Sequence, residues 1–75
     1  MKKLMIKALQ GTIEYRSGTV KYEEDAVGGI IIFGERPTFS SPAIAAMFEA
    51  MGLKTYCDYD AENDRVFLRV FSYGN

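Results

Sequence analysis

The final strand-like segment of the chain is apolar on both of its sides, and this feature constrains the fold more than any other. Successive side chains of a strand point to opposite faces of a sheet. Between Arg65 and Tyr73, one side carries aliphatic residues and the other carries aromatic rings separated by arginines. The aliphatic side comprises Val66, Leu68 and Val70, and the other comprises Arg65, Phe67, Arg69, Phe71 and Tyr73. A sheet built on this strand therefore needs something to cover each face.

The size and composition of the chain predict one small folded domain over residues 1–75. A chain of this length has room for a single core, and that core barely offsets the entropy of ordering the chain. Its residues are 48% hydrophobic and include five Phe and five Tyr, a composition that disordered segments lack. We therefore expect every large apolar side chain to be used in packing or in binding.

Four segments of the first half have strand-like patterns. Residues Lys3 to Leu9 are mostly apolar and are interpreted as a strand leading into a hairpin. The hairpin is predicted to pair 12–15 with 19–22, because Gly18 between them can supply the positive φ of a short loop. The run from Ile30 to Phe33 is four β-prone apolar residues and predicts a central strand that is buried on both sides. The connection at 35–39 contains Pro37, which excludes regular pairing there.

One helix is predicted between Ser41 and Gly52. Ser41 is the expected N-cap, Pro42 the first helical residue and Gly52 the residue that ends the helix. A stripe at helical spacing is expected to be buried, and it comprises Ile44, Met47, Phe48 and Met51. The opposite side consists of small residues that would let another backbone approach closely, and it comprises Ala43, Ala46 and Ala50.

A second hairpin is predicted to close the chain. Residues 53–59 alternate, the polar stretch 60–64 is a turn, and the two-sided strand follows. This order of elements predicts an α+β fold, with a mostly antiparallel sheet of four or five strands and one helix packed on one face.

No catalytic, metal or cofactor site is predicted, so we do not expect an enzyme. The chain contains no His, which removes the commonest general base and metal ligand. Cys57 lies in an alternating strand and is interpreted as a core or partly buried thiol. The acidic residues at 58, 60, 62 and 64 resemble a calcium loop, but Asn63 stands where the tight-turn glycine belongs and Arg69 where the bidentate glutamate belongs.

The arginine and aromatic side of the final strand, extended by a tyrosine of the preceding strand, is the main candidate binding surface. The predicted partner-binding residues are Tyr56, Arg65, Phe67, Arg69, Phe71 and Tyr73. Three interpretations stay open: the N-terminal hairpin folds over this face and closes a small barrel, a protein or a second copy docks on it, or single-stranded nucleic acid stacks on its rings. The alanine side of the helix is a further candidate for docking.

The predicted function is a non-enzymatic protein-binding module that occludes a larger partner or associates with itself. Its formal net charge of −1 gives no overall attraction to nucleic acid or to a membrane, and no small-molecule substrate is inferred. A lone cysteine, and an N-terminal apolar run interrupted by Lys7 and Gln10, predict a cytoplasmic protein without a signal peptide. By analogy alone, small proteins of this kind are often inhibitors or accessory factors, including those carried by phages.

Overall fold

The computed structural model describes residues 2–35 and 39–72, which form a four-stranded antiparallel sheet with helices. The elements in chain order are α1 (Lys2–Gln10), α2 (Ile13–Arg16), β1 (Val20–Glu24), β2 (Ile30–Glu35), α3 (Ser41–Ala50), β3 (Lys54–Asp60) and β4 (Arg65–Phe71). The strands are ordered β1-β2-β4-β3 across the sheet. The predicted α+β class and antiparallel sheet are confirmed. The predictions made for Pro37 and Tyr73 lie outside the described residues.

Strand β2 lies in the middle of the sheet, as its apolar run predicted. Ile32 is opposite Tyr22 of β1 on one side and opposite Leu68 of β4 on the other. The expectation that both sides of β2 are buried is wrong in part. Ile30 and Ile32 are fully buried, whereas Ile31, on the other side, is only half-buried. One face of the sheet is therefore covered more completely than the other.

The N-terminal segment is a helix, so the strand predicted over Lys3 to Leu9 is wrong. Met5 and Leu9 are four residues apart, which places them on the same side of a helix, and both are completely buried. A short apolar run of this kind satisfies a helical period as well as a strand-like one. In a helix Met5 and Leu9 can both enter the core, and their burial favours the helix over the strand.

The hairpin predicted between 12–15 and 19–22 is also wrong, because its first half forms the helical turn α2. The Thr12 hydroxyl oxygen accepts a hydrogen bond from the Tyr15 amide at 3.2 Å and donates one to the Leu9 carbonyl at 2.6 Å. This capping stabilises the turn. Gly18 does have the expected positive φ, at 82°. Strand β1 pairs with β2 instead, across a turn in which the Asp25 amide donates to the Gly29 carbonyl at 2.8 Å.

Helix α3 ends as predicted but begins differently. Gly52 has a φ of 85°, and its amide donates to the Glu49 carbonyl at 3.0 Å. At the other end, Ser40 rather than Ser41 is the N-cap, and the Ser40 side chain makes no capping hydrogen bond. Because Pro42 is tolerated at either of the first two helical positions, its presence does not distinguish these two starting points.

The buried apolar residues of the helices and strands form one core. Its members are Met5, Leu9, Val20, Ile30, Ile32, Phe39, Ile44, Phe48, Leu53, Val66, Leu68 and Val70. The members from β1, β2 and β4 all share one side of the sheet in the observed register. Of the stripe predicted on α3, Ile44 and Phe48 are buried, Met47 is half-buried and Met51 is 42% exposed. Among the described residues, no helix has the length and apolar character needed to cross a membrane.

Candidate protein interface

Among the described residues, the other side of the sheet, here called the open face, contributes none to the buried core. Its members follow from the alternation of side chains along each strand and from the pairing register. They are Lys21 and Glu23 of β1, Ile31, Phe33 and Glu35 of β2, Arg65, Phe67, Arg69 and Phe71 of β4, and Lys54, Tyr56, Asp58 and Asp60 of β3. The open face therefore contains the arginine and aromatic side of β4.

A row of four paired residues crosses the centre of the open face. In strand order it comprises Lys21, Phe33, Phe67 and Asp58. The two rings are half-buried, with centroids 6.2 Å apart and planes inclined by 37°, a favourable arrangement for an aromatic pair. The lysine and the aspartate at its ends are both exposed. This first row thus has an apolar centre, a positive end and a negative end.

A second row lies beside the first and borders a shallow depression. In strand order it comprises Glu23, Ile31, Arg69 and Tyr56. Tyr56 is 60% exposed, which is high for a large aromatic side chain. All four residues, with Phe67 and Asp58 of the first row, line a depression of about 450 Å³. The open face is therefore concave at this point and combines rings with charges of both signs.

Intramolecular contacts orient both arginines of β4. The guanidinium carbon of Arg65 lies 5.6 Å from the centroid of the Phe33 ring, within range of a cation–π interaction. The Nε atom of Arg69 lies 4.0 Å from a carboxylate oxygen of Asp25, whose side chain is only 15% exposed. A long and partly exposed ion pair of this kind contributes at most about 1 kcal/mol. Its main effect is to orient Arg69 across the sheet.

The turn between β3 and β4 keeps a negative charge at one end of the open face. The Asn63 side-chain amide donates to Asp60 at 2.8 Å, and the Glu62 backbone amide donates to it at 3.1 Å. The Asn63 side-chain amide lowers the pKa of the Asp60 carboxyl, and the backbone amides of Asn63 and Glu62 and nearby Arg65 act in the same direction. Asp60 is therefore ionised at neutral pH.

The structure brings five of the six predicted partner-binding residues onto the open face. They are Tyr56, Arg65, Phe67, Arg69 and Phe71, whereas Tyr73 lies outside the described residues. Of the three interpretations left open for this face, the one in which an N-terminal hairpin covers it is wrong. The N-terminal segment is helical, and its buried residues Met5 and Leu9 belong to the core on the other side.

Sequence reasoning missed the contribution of β1 and β2 to this surface. Phe33 and Lys21 are directly paired, and Phe33 contacts Phe67 from the neighbouring strand. The run from Ile30 to Phe33, apolar on both sides, indicates that a second face carries apolar side chains. It does not specify which strands lie on either side of it. The pairing of β2 with β4 supplies that information.

Cys57 is exposed, so the prediction of a core or partly buried thiol is wrong. Cys57 pairs with Leu68 and lies on the core side of the sheet, as the alternation of side chains predicted. However, β3 is an edge strand, and the nearby contact of the thiol is with the Ser41 hydroxyl at 3.6 Å. In the described ranges, no three cysteine or acidic side chains are grouped so that they could hold a metal ion.

The alanine side of α3, the other surface considered for docking, is exposed among the described residues. Ala43, Ala46 and Ala50 all contact solvent. Glu49, beside them, accepts a hydrogen bond from the Thr55 hydroxyl at 2.6 Å, which ties this side of the helix to β3. The alanine side offers little apolar area compared with the rings of the open face.

Comparisons of the chain with protein-family models, with curated protein sequences and with solved structures give no match. Its function is therefore inferred from the geometry and chemistry of its surfaces. The open face combines partly exposed rings, arginines and a concave centre, and it is the strongest candidate among the described surfaces.

Proposed function

We propose that this protein is a non-enzymatic binding module whose open face docks on a protein surface. The observation that supports this proposal best is the Phe33–Phe67 pair, which is only half-buried at the centre of a face outside the core. Protein interfaces typically place aromatic and arginine side chains at the centre and charged residues around them. The open face has the same arrangement, with Lys21 and Asp58 at the ends of the first row.

A module of this size would act by occupying a surface rather than by catalysis. A small inhibitor or accessory factor in the cytoplasm, of the type that phages often carry, is the biological role that we propose by analogy. Its open face is formed on a sheet whose central strands β2 and β4 are paired, so we expect binding to need little rearrangement of the backbone.

The charge balance of the open face favours a protein over single-stranded nucleic acid. Its basic residues are Lys21, Lys54, Arg65 and Arg69, and its acidic residues are Glu23, Glu35, Asp58 and Asp60. Surfaces that bind nucleic acid are positively charged along the path of the phosphates. Here Asp58 is paired with Phe67, so a phosphate beside a base stacked on that ring would meet a carboxylate.

The test compares Phe67→Ser on the open face with Ile13→Ser on α2. Ile13 is 79% exposed and lies off the open face, so it is a matched control for loss of an apolar side chain. Self-association is measured by sedimentation velocity, and protein retention is measured by pull-down from the lysate of the source cells. Circular dichroism verifies the fold of each variant.

We expect the wild type and Ile13→Ser to bind equally and Phe67→Ser to lose binding in at least one of the two assays. Equal association and equal retention by all three proteins would refute the proposal. Oligonucleotide binding that falls steeply with added salt and disappears in Phe67→Ser would instead establish the nucleic-acid alternative.

A further inference from the structure

We infer that the occupant of the open face is a second copy of this chain, bound face to face about a two-fold axis parallel to the strands and lying between β2 and β4. This inference rests on the proposed function and specifies its partner. In such a dimer each strand lies over a different strand of the second copy, so that β2 faces β4 and β1 faces β3. Each row of paired residues then faces itself in reverse order.

The first row is complementary to its own reverse. Phe33 faces Phe67 of the second copy, which places ring on ring at the centre. Lys21 faces Asp58 of the second copy, and Asp58 faces Lys21 of the second copy. The two-fold axis thus generates two equivalent ion pairs, one on each side of a cluster of four rings.

The second row is also compatible with this arrangement. Glu23 faces Tyr56 of the second copy, whose hydroxyl can donate a hydrogen bond to the carboxylate. Ile31 faces the aliphatic part of Arg69, a contact that arginine side chains commonly make. A two-fold axis perpendicular to the strands would instead place each strand over its own copy. Through the first row it puts Lys21 opposite Lys21 and Asp58 opposite Asp58, and between the two rows it puts Phe67 opposite Arg69. Charge pairing and ring packing together therefore favour the parallel axis.

Lys21 and Asp58 cannot form this ion pair within one chain. They lie on the two edge strands, three strand spacings or about 14 Å apart. This distance exceeds the Debye length of about 8 Å at physiological salt, so their intramolecular attraction is largely screened. In the dimer, the usual inclination of about 30° between packed sheets displaces an edge residue by about 4 Å, which a lysine side chain can span. If the effects of charge reversal at positions 21 and 58 depend on each other, the two side chains therefore interact between two molecules and not within one chain.

The size of the face indicates a dimer of moderate affinity. Four strands and about six residues per strand give a projected area of about 400 Å² per chain, below the roughly 600–1,000 Å² per chain of specific, stable interfaces. Interfaces of this size are typical of weak or transient association. We therefore expect the wild type to pass from monomer to dimer over a micromolar to millimolar concentration series.

The test reverses one charge in each of two variants and then mixes them. Lys21→Glu places two carboxylates together at both ends of its own dimer, and Asp58→Lys places two ammonium groups together there. Each variant alone should associate at least about tenfold more weakly than the wild type. In an equimolar mixture, the carboxylate introduced at position 21 faces the ammonium group introduced at position 58, and the unchanged Asp58 faces the unchanged Lys21. The mixture should dimerise about as well as the wild type.

Sedimentation velocity at low salt measures all four samples, and circular dichroism verifies that both surface variants fold. Failure of the mixture to restore association would overturn the proposed docking geometry even if the wild type dimerises. A wild type that stays monomeric throughout, while a lysate protein is retained through Phe67, would refute the second copy as partner but leave the proposed function intact. A monomer with no binding that depends on Phe67 would refute both.

Discussion

Separate alanine substitutions of Phe67 and Leu68 test whether the buried face of β4 contributes more to the unfolding free energy than its half-buried face does. The two residues are neighbours in sequence, so backbone environment and strand position are matched. Leu68 is 1% exposed and belongs to the core, whereas Phe67 is half-buried on the open face. We expect Leu68→Ala to destabilise the fold strongly and Phe67→Ala to affect association much more than folding.

The expected magnitudes follow from these positions. Deleting a fully buried leucine side chain to alanine costs about 2–5 kcal/mol of unfolding free energy. Phe67→Ala removes the ring pair with Phe33, worth about 0.5–1.5 kcal/mol, and exposes part of the apolar surface beneath it. We expect a total cost of about 1–2 kcal/mol, because the ring is already partly in water. A chain of 75 residues has an unfolding free energy of about 4–11 kcal/mol. Only the leucine substitution therefore costs enough to approach the whole stability of the fold.

Urea unfolding followed by circular dichroism measures both costs. The protein concentration must be low enough to keep the chain monomeric, because dimerisation would add to the apparent stability. Sedimentation velocity at high concentration then measures the association of the folded Phe67→Ala variant. We expect this variant to remain monomeric. If Phe67→Ala lowers the unfolding free energy as much as Leu68→Ala does, the ring belongs to the core and the open face is not an interface.

Three further predictions concern the backbone and the turns. Gly52→Ala should cost about 1 kcal/mol in urea unfolding, because a Cβ there has open space but the φ of 85° disfavours it. Gly29→Ala should cost more, about 2 kcal/mol or above, because its Cβ would overlap the Val70 carbonyl oxygen; a smaller cost than at Gly52 would contradict the close approach of β2 and β4. Asn63→Ala should raise the pKa of Asp60 toward its ordinary value, as followed by NMR titration of that carboxyl. Because its pKa is lowered on folding, ionised Asp60 stabilises the fold at pH values above the ordinary carboxyl pKa of about 3.9, and this stabilisation is lost as the pH falls through the pKa of the folded state. The Asn63→Ala variant should lose most of this stabilisation. An unchanged titration of Asp60 would refute the role of Asn63.

The parts of the fold that were predictable are those in which a local pattern has one interpretation. The two-residue period of β4 separates Val66, Leu68 and Val70 from the rings, and the register preserves that separation. Gly52 marks the end of α3 because few other residues adopt its backbone conformation. In these places the chemistry of single residues specifies the local structure.

The N-terminal part was not predictable for the opposite reason. Ile13 and Tyr15 are β-prone, yet the Thr12 hydroxyl caps a helical turn that places Tyr15 beside Tyr22, with ring centroids 6.2 Å apart. Strand alternation placed Cys57 on the correct side of the sheet, but its exposure depends on how far the helices extend over an edge strand. The candidate site was incomplete because the position of Phe33 beside Phe67 depends on the strand order.

The strand order also has a consequence for how the chain folds. The hairpins β1–β2 and β3–β4 join neighbouring segments, whereas the central ladder pairs Ile30 with Val70 and Glu35 with Arg65, residues 40 and 30 positions apart. Closing this long loop is the largest single entropic cost of forming the sheet. The hairpins should therefore form early, and their association through β2 and β4 should limit the rate. Substitutions of Ile32 or Leu68 should slow folding, while substitutions in the outer strands should mainly speed unfolding.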